Sequence, residues 1–283
     1  MRLRPMAVVM ISTLTAKGAD TTLRALELGA VDFVCKPRAD LHASLQEMAQ
    51  DITQKIRVAA KARVRRLQPP LAQAAATGAQ AKAEADAGEH WPVNGKVVFI
   101  GASTGGTEAT RELLERLPAA GPPIVVAQHM PAGFTQSYAQ RLDSQLPWRV
   151  LEARDGMRLR GGHVYIAPGG LHTTVERSGC WRLRVTDGPP VNRHKPSVEV
   201  LFRSAARTVG THALGVMLTG MGADGALAMR EMRDAGAHNF CQDEASCVVF
   251  GMPREAIAAG AAHEVLPPAA IAERLARFGR AAP

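Results

Sequence analysis

The sequence is poor in cysteine, in aromatic residues and in long apolar runs, and each shortage excludes something. Four cysteines, Cys35, Cys180, Cys241 and Cys247, form no CxxC pair. That pattern argues against a disulfide framework and a zinc site, and suits a reducing, cytoplasmic setting. Aromatics make up 4% of the 283 residues, so a core has to rest on Val, Leu, Ile, Met and Ala. No apolar run approaches the roughly 20 residues that span a bilayer. Residues 6–14 are apolar but too short, and no small-residue cleavage site follows; they read as a buried strand rather than a leader. No HExxH or comparable histidine spacing offers a metal site, and no cofactor is expected.

What is present is ordinary globular composition, 46% hydrophobic and 21% charged, with a net charge of +8. The charge is uneven: residues 1–66 carry 12 basic and 6 acidic side chains. Six of these positives lie between Lys55 and Arg66. They read as a solvated helix face, or as a footprint for an acidic partner. No aromatics interleave with them, and no zinc-finger or single-strand-binding motif appears, so no nucleic-acid partner is expected.

Residues 1–60 alternate strand and helix: strand 7–12, helix 20–28 stopped by Gly29, strand 31–34, then a long helix over 41–66. The Ala-rich stretch that follows lacks large apolar residues and reads as a linker over 61–92. From about Trp91 a second unit begins, assigned to 93–283. Strand 97–100 runs into a Gly-rich turn and a helix over 108–117. Strand 123–127 ends in Gln128-His129, and a helix covers 133–145. Residues 150–185 suggest a hairpin-rich insertion. A helix over 197–209, strand 214–218, the loop Thr219-Gly-Met-Gly-Ala-Asp224-Gly225 and a helix to Ala235 follow. Strand 248–250 and helix 253–260 close the pattern. Such units predict an α/β fold with a doubly wound, mostly parallel, Rossmann-like sheet. Catalytic groups in these sheets gather at the carboxyl ends of the strands.

Three loops leave such ends, and they present Ser103, His129 and Asp224. A nucleophilic serine needs a base, and the base needs an orienting carboxylate. Gly101-Ala-Ser103-Thr-Gly105 matches GxSxG, in which small neighbours expose the hydroxyl on a tight turn. The following helix directs free amides at that point, favouring an oxyanion. The order Ser…His…Asp is not that of the α/β-hydrolases. A nucleotide turn is the competing reading, but GxGxxG and GK[ST] are absent, and Gln128-His129 stands where a ribose-binding acid is expected. Taken singly, Asp224 before Gly225 reads as turn and helix-cap chemistry. His163, His172 and His194 default to structural roles, and Cys241 and Cys247 to buried small hydrophobes. A non-catalytic regulatory module stays open beside the nucleotide reading.

A set of blocks, in order, covers the chain from about residue 97 onwards. Gly101-Ala-Ser-Thr-Gly-Gly-Thr-Glu-Ala109, Gln128-His-Met-Pro131 with Gly133-Phe-Thr135, and Tyr165-Ile-Ala-Pro-Gly169 come first. Val191-Asn-Arg-His-Lys-Pro-Ser197, Leu218-Thr-Gly-Met-Gly222 with Asp224-Gly225, and Asp243 to Arg254 complete it. Together they resemble the catalytic domain of the chemotaxis protein-glutamate methylesterase family (CheB). The resemblance implies Ser103 as nucleophile, His129 as general base and acid, and Asp224 as orienting carboxylate. It implies an oxyanion site near the Met221 backbone with Thr104 nearby. It further implies hydrolysis of glutamyl methyl esters on methyl-accepting chemotaxis receptors, and deamidation of receptor glutamines. Contact with the membrane would then be only through those receptors. Residues 5–40 resemble the second half of a flavodoxin-like response-regulator receiver domain: Ser12 matches its hydroxyl position and Lys36-Pro37 its lysine. The phosphate-accepting aspartate has no counterpart in this sequence, so as it stands no phosphorylation there is expected. A chemotaxis histidine kinase is an expected partner only of a complete receiver.

Overall fold

The computed structural model describes residues 6–13, 15–36, 49, 52–62, 82 and 95–280. Near the N-terminus, β1 (Val9–Ser12), α1 (Ala16–Glu27) and β2 (Asp32–Cys35) form a parallel β-α-β unit in which Val9 lies opposite Asp32. Thr15 caps α1, its hydroxyl accepting from the Gly18 amide at 3.1 Å, and Gly29 turns the chain out at φ +93°. Residues 52–59 are helical, but the chain leaves helical geometry at 60–62, short of the predicted end at 66. The linker expected over 61–92 lies outside the described residues except at 61, 62 and 82.

The larger unit contains β3 (Val97–Ala102), α2 (Gly106–Arg116), β4 (Ile124–Gln128), α3 (Phe134–Gln145), β5 (Arg149–Glu152) and β6 (His163–Ile166). Next come the hairpin β7 (His172–Ser178) and β8 (Cys180–Thr186), α4 (Val198–Thr208), β9 (Ala213–Met217) and α5 (Ala226–Asp234). It ends with β10 (His238–Gln242), α6 (Met252–Ala258), β11 (Glu264–Leu266) and α7 (Pro268–Arg280). Seven strands form one sheet in the order β11-β10-β9-β3-β4-β6-β5, and every pairing in it is parallel.

Alternation along each strand splits the core in two. Val98, Ile100, Ile124, Val126, Leu214 and Val216 face α2, α3 and α7, whose Leu113, Leu114, Leu142 and Leu275 cover them. Val97, Phe99, Val125, Ala213 and Met217 face the other way, onto Leu201, Phe202, Met229 and Met232 of α4 and α5 and Trp181 of the hairpin. The result is three layers, with strands buried on both sides, as an all-parallel sheet requires. The N-terminal unit extends the first cluster through Ala19, Leu23, Leu26 and Phe33. Phe33 stacks on Phe134 at 4.8 Å, and Arg141 pairs with Glu27 and Asp20 of α1.

Two sequence expectations are corrected. The hairpin expected within residues 150–185 is present as β7–β8, but β5 and β6 belong to the main sheet, β6 beside β4 and β5 beside β6. Residues 248–250 are not a sheet strand; Phe250 makes only an isolated bridge to Gly220. The strand beside β9 is β10 instead. No helix among the described residues is long and apolar enough to cross a membrane.

Candidate active site

The sheet order places the strand ends that matter side by side. β3 lies between β9 and β4, and the winding direction reverses between β3 and β9. A doubly wound sheet opens a crevice at such a reversal, outside the carboxyl ends. Ser103 follows β3, His129 follows β4 and Asp224 lies in the loop after β9, and all three line one cleft of about 1360 Å³.

The serine turn is held from several directions. The Ser103 amide donates to Thr219 O at 3.1 Å. Its carbonyl accepts from the Gly106 amide at 2.8 Å and from Gln128 Nε2 at 2.9 Å. Gly105, at φ +78°, starts α2, and a Cβ there would lie 2.6 Å from that of Val248. A Cβ on Gly220 would come within 2.8 Å of the Ser103 Cβ. Gly105 is therefore needed for the serine turn to pack on the loop after β10, and Gly220 for the loops after β3 and β9 to touch.

Asp224 is 3% exposed and sits on the N-terminus of α4. It accepts from the Val198 amide at 2.6 Å, the Glu199 amide at 3.3 Å, Ser197 Oγ at 2.8 Å and Asn192 Nδ2 at 2.9 Å. The cap-like character of Asp224 is thus real, but the helix it caps is α4, not the one that follows it. Glu199, on the first turn of α4, returns the arrangement by accepting from the Gly225 and Ala228 amides at the start of α5. Burial pushes the Asp224 pKa up, but the bonds from His129, Asn192 and Ser197 and the attraction of His129 outweigh it, leaving it at about 2.

An ionised Asp224 fixes the tautomer of His129. Nε2 lies 2.8 Å from Asp224 Oδ2, so Nε2 carries the proton and donates. Nδ1 is the nitrogen left over, buried and without a hydrogen-bond partner among the described residues.

Sequence reasoning missed what covers this pair. Val191 and His194 exchange backbone bonds of 3.1 and 2.9 Å, closing a two-residue turn with Asn192 at φ +52° and Arg193 at φ +68°. Asn192 reaches Asp224, as above. His194, assigned a structural role from sequence, stacks on His129 with centroids 3.6 Å apart and planes 10° from parallel. Burial, then the charge of His129, pushes the His194 pKa down to about 4, so its ring is neutral. The only local signal was Asn192, a residue tolerant of positive φ.

The remaining expectations fall as follows. Met221 and Thr104 line the cleft, but the Thr104 hydroxyl donates to Asp32 Oδ2 of the N-terminal unit. Asp32, Phe33 and Lys55 form part of the cleft wall. His163 and His172 lie outside the cleft and bond Gly161 O and Pro189 O. Cys241 and Cys247 are 0% and 2% exposed, and burial raises the Cys241 thiol to about 12. No cluster of three metal-ligating side chains occurs among the described residues.

A family model described as CheB methylesterase matches residues 98–275. A protein-glutamate methylesterase/protein-glutamine glutaminase 1 of Albidiferax ferrireducens is 59% identical, over 97% of this chain and 74% of its own. A protein-glutamate methylesterase/protein-glutamine glutaminase of Chromohalobacter salexigens is 53% identical, over 99% and 78%. The crystal structure of the Thermotoga maritima CheB methylesterase catalytic domain superposes with a TM-score of 0.63 at 40% identity, covering 65% of this chain and 98% of that one. With more than half its length matched by the family model, and relatives more than half identical along nearly all of it, this chain belongs to the CheB methylesterase family.

Proposed function

We propose that Ser103, His129 and Asp224 carry out ester hydrolysis through a glutamyl-enzyme, acting on methylated glutamates of methyl-accepting chemotaxis receptors. The enzyme class itself, protein-glutamate methylesterase with glutaminase activity, follows from family membership. The observation that carries the mechanism is the pairing of His129: its Nε2 is tied to an ionised carboxylate, its Nδ1 has no partner among the described residues, and the residue lines the same cleft as Ser103.

In this reading Ser103 Oγ attacks the ester carbonyl carbon and passes its proton to His129 Nδ1. Asp224 holds the imidazolium that forms and is not itself protonated. The oxyanion is received by backbone amides. Those of Thr104 and Met221 line the cleft and donate to no acceptor among the described residues, and the N-terminus of α2 adds its dipole. Collapse expels methoxide, which takes the proton from Nδ1 and leaves as methanol. Water then attacks the glutamyl-enzyme with His129 again as base, releasing a glutamate side chain. A glutamine follows the same path with ammonia as leaving group. Repeated demethylation of receptors would serve chemotactic adaptation.

The test is methanol release from membranes bearing methyl-esterified receptors, comparing the parent chain with Ser103→Ala. Loss of a triad member typically lowers kcat by roughly 10⁴–10⁶, and a fall of that order is expected. A folded Ser103→Ala variant that retains most of the rate would remove the nucleophile from the proposal.

A further inference from the structure

The charges lining the cleft are nearly all accounted for, and one is not. Among the described residues its cations are Lys55, Arg193 and Lys195. Lys55 faces Asp32 at 3.5 Å and Lys195 faces Asp187 at 2.7 Å. The anions are engaged too: Asp32 by Thr104 and Lys55, Glu199 by Arg203 and the α5 amides, Asp224 by His129, and Glu255 by Arg254. Arg193 makes no hydrogen bond or ion pair with any described residue, and it is exposed at the cleft rim.

Its backbone makes the position more pointed. Arg193 occupies the second central place of a two-residue turn, where φ is +68° and glycine is the favoured residue. A side chain there is strained, because its Cβ crowds the backbone. The neighbours on either side are anchored to the reacting groups, Asn192 on Asp224 and His194 on His129. The strained turn therefore holds the Arg193 backbone beside the triad and presents its side chain at the cleft rim. Strain concentrated at a site is a reason to look for function there.

We infer that Arg193 is a substrate-specificity residue that binds a carboxylate on the protein segment carrying the scissile glutamyl ester. A guanidinium presents a planar fork that matches a carboxylate in two parallel bonds. The esterase reaction makes such groups: each turnover leaves a carboxylate where an ester stood. Arg193 thus favours esters beside glutamates that are already free, so demethylation of one site promotes that of its neighbour. The inference rests on the esterase reading above.

Two synthetic peptides test it, each bearing one glutamyl γ-methyl ester, one flanked by glutamates and the other by alanines. Methanol release is followed with the full chain as parent, Arg193→Gly and Arg193→Lys. The parent is expected to prefer the acidic peptide by about tenfold in kcat/KM, through KM, the worth of one charge-assisted contact. Arg193→Gly should erase that preference, and Arg193→Lys should keep part of it. Because glycine relieves the left-handed strain, the melting temperature of Arg193→Gly should hold or rise, which separates lost recognition from lost structure. A parent that cleaves both peptides equally, or a preference that survives Arg193→Gly, overturns the assignment alone. A folded parent that releases methanol from neither peptide overturns the esterase reading and the assignment with it.

Discussion

The two ends of the central sheet are built from the same strands and could hardly differ more. At the carboxyl ends lies the large cleft, with buried Asp224 and Glu199, the stacked histidines and a strained turn. At the amino ends of β3 and β4 lies a cavity of about 180 Å³, lined by Val98, Leu117, Ile124, Trp148 and Leu275 among others. Its one polar side-chain atom, Trp148 Nε1, donates to Leu114 O at 3.1 Å. The difference follows from chain direction. Each strand's carboxyl end feeds the N-terminus of the next helix, whose first amides lack internal partners and attract carboxylates. Val198 and Glu199 offer such amides to Asp224, and Gly225 and Ala228 offer theirs to Glu199. The amino-end loops carry no such surplus of donors and can be closed with hydrocarbon.

If that contrast is correct, damage at one end should appear in rate and damage at the other in stability. The larger effect belongs to Asp224→Asn. A carboxamide accepts at one atom only and cannot hold an imidazolium by charge, so kcat for methanol release should fall by roughly 10³–10⁴. Part of the amide cluster on α4 would also lose its acceptor, so some loss of stability should accompany it. A variant within tenfold of the parent would mean that Asp224 serves only to cap α4. Next comes Trp148→Ala. The indole is 1% exposed and belongs to the first buried cluster, so its removal should cost about 3–5 kcal/mol in denaturant unfolding. The kcat of the folded fraction should stay within about twofold. A large fall in kcat at full folding would break the comparison, because the amino end would then communicate with the chemistry.

How much of this was legible in the sequence depended on whether the determining contacts were local. β3, β4 and β9 were readable because each is an apolar run buried on both faces. The positions of Ser103, His129 and Asp224 on one rim followed from those strand ends. β10 was missed because its His238-Asn-Phe-Cys-Gln242 is half polar. Asn239 and Gln242 are buried and tied to distant groups: Asn239 Nδ2 donates to Met229 O and Ala261 O, and Gln242 Oε1 accepts from the Thr219 amide. Strand identity there is set by partners 10 to 23 residues away, which no local pattern reports. Of the 150–185 region the β7–β8 hairpin was legible, but β5 and β6 look like hairpin strands locally, and only the parallel registers of β5 with β6 and of β6 with β4 place them in the sheet. His194 was read as structural because stacking on a residue 65 positions earlier leaves no trace in spacing.

That stacked histidine supplies the smallest and most selective test of the carboxyl end. Its neighbours in charge are His129, Asp224, Lys55 and Arg193. Burial first, and then the positive groups, hold His194 at about 4 in the folded protein, whereas an unfolded histidine titrates near 6.5. As pH falls through 6.5 the unfolded chain takes up the proton first, so stability is complete above 6.5 and declines towards 4. The Asp224 contribution is lost lower, between its unfolded value of 3.8 and about 2, so the two windows do not overlap. His263, also lowered by burial, adds a slope of the same sign, and only a difference between variants isolates His194. His194→Phe keeps a flat ring against His129 and removes the titration. Urea unfolding between pH 4.5 and 7 should therefore give a shallower loss of stability for His194→Phe than for the parent, with methanol release at pH 7 within a few-fold. Parallel pH profiles would show that His194 is not held neutral against His129. An equal slope with a large loss of rate would instead make the imidazole nitrogens, and not the stacked ring, the feature that matters at this rim.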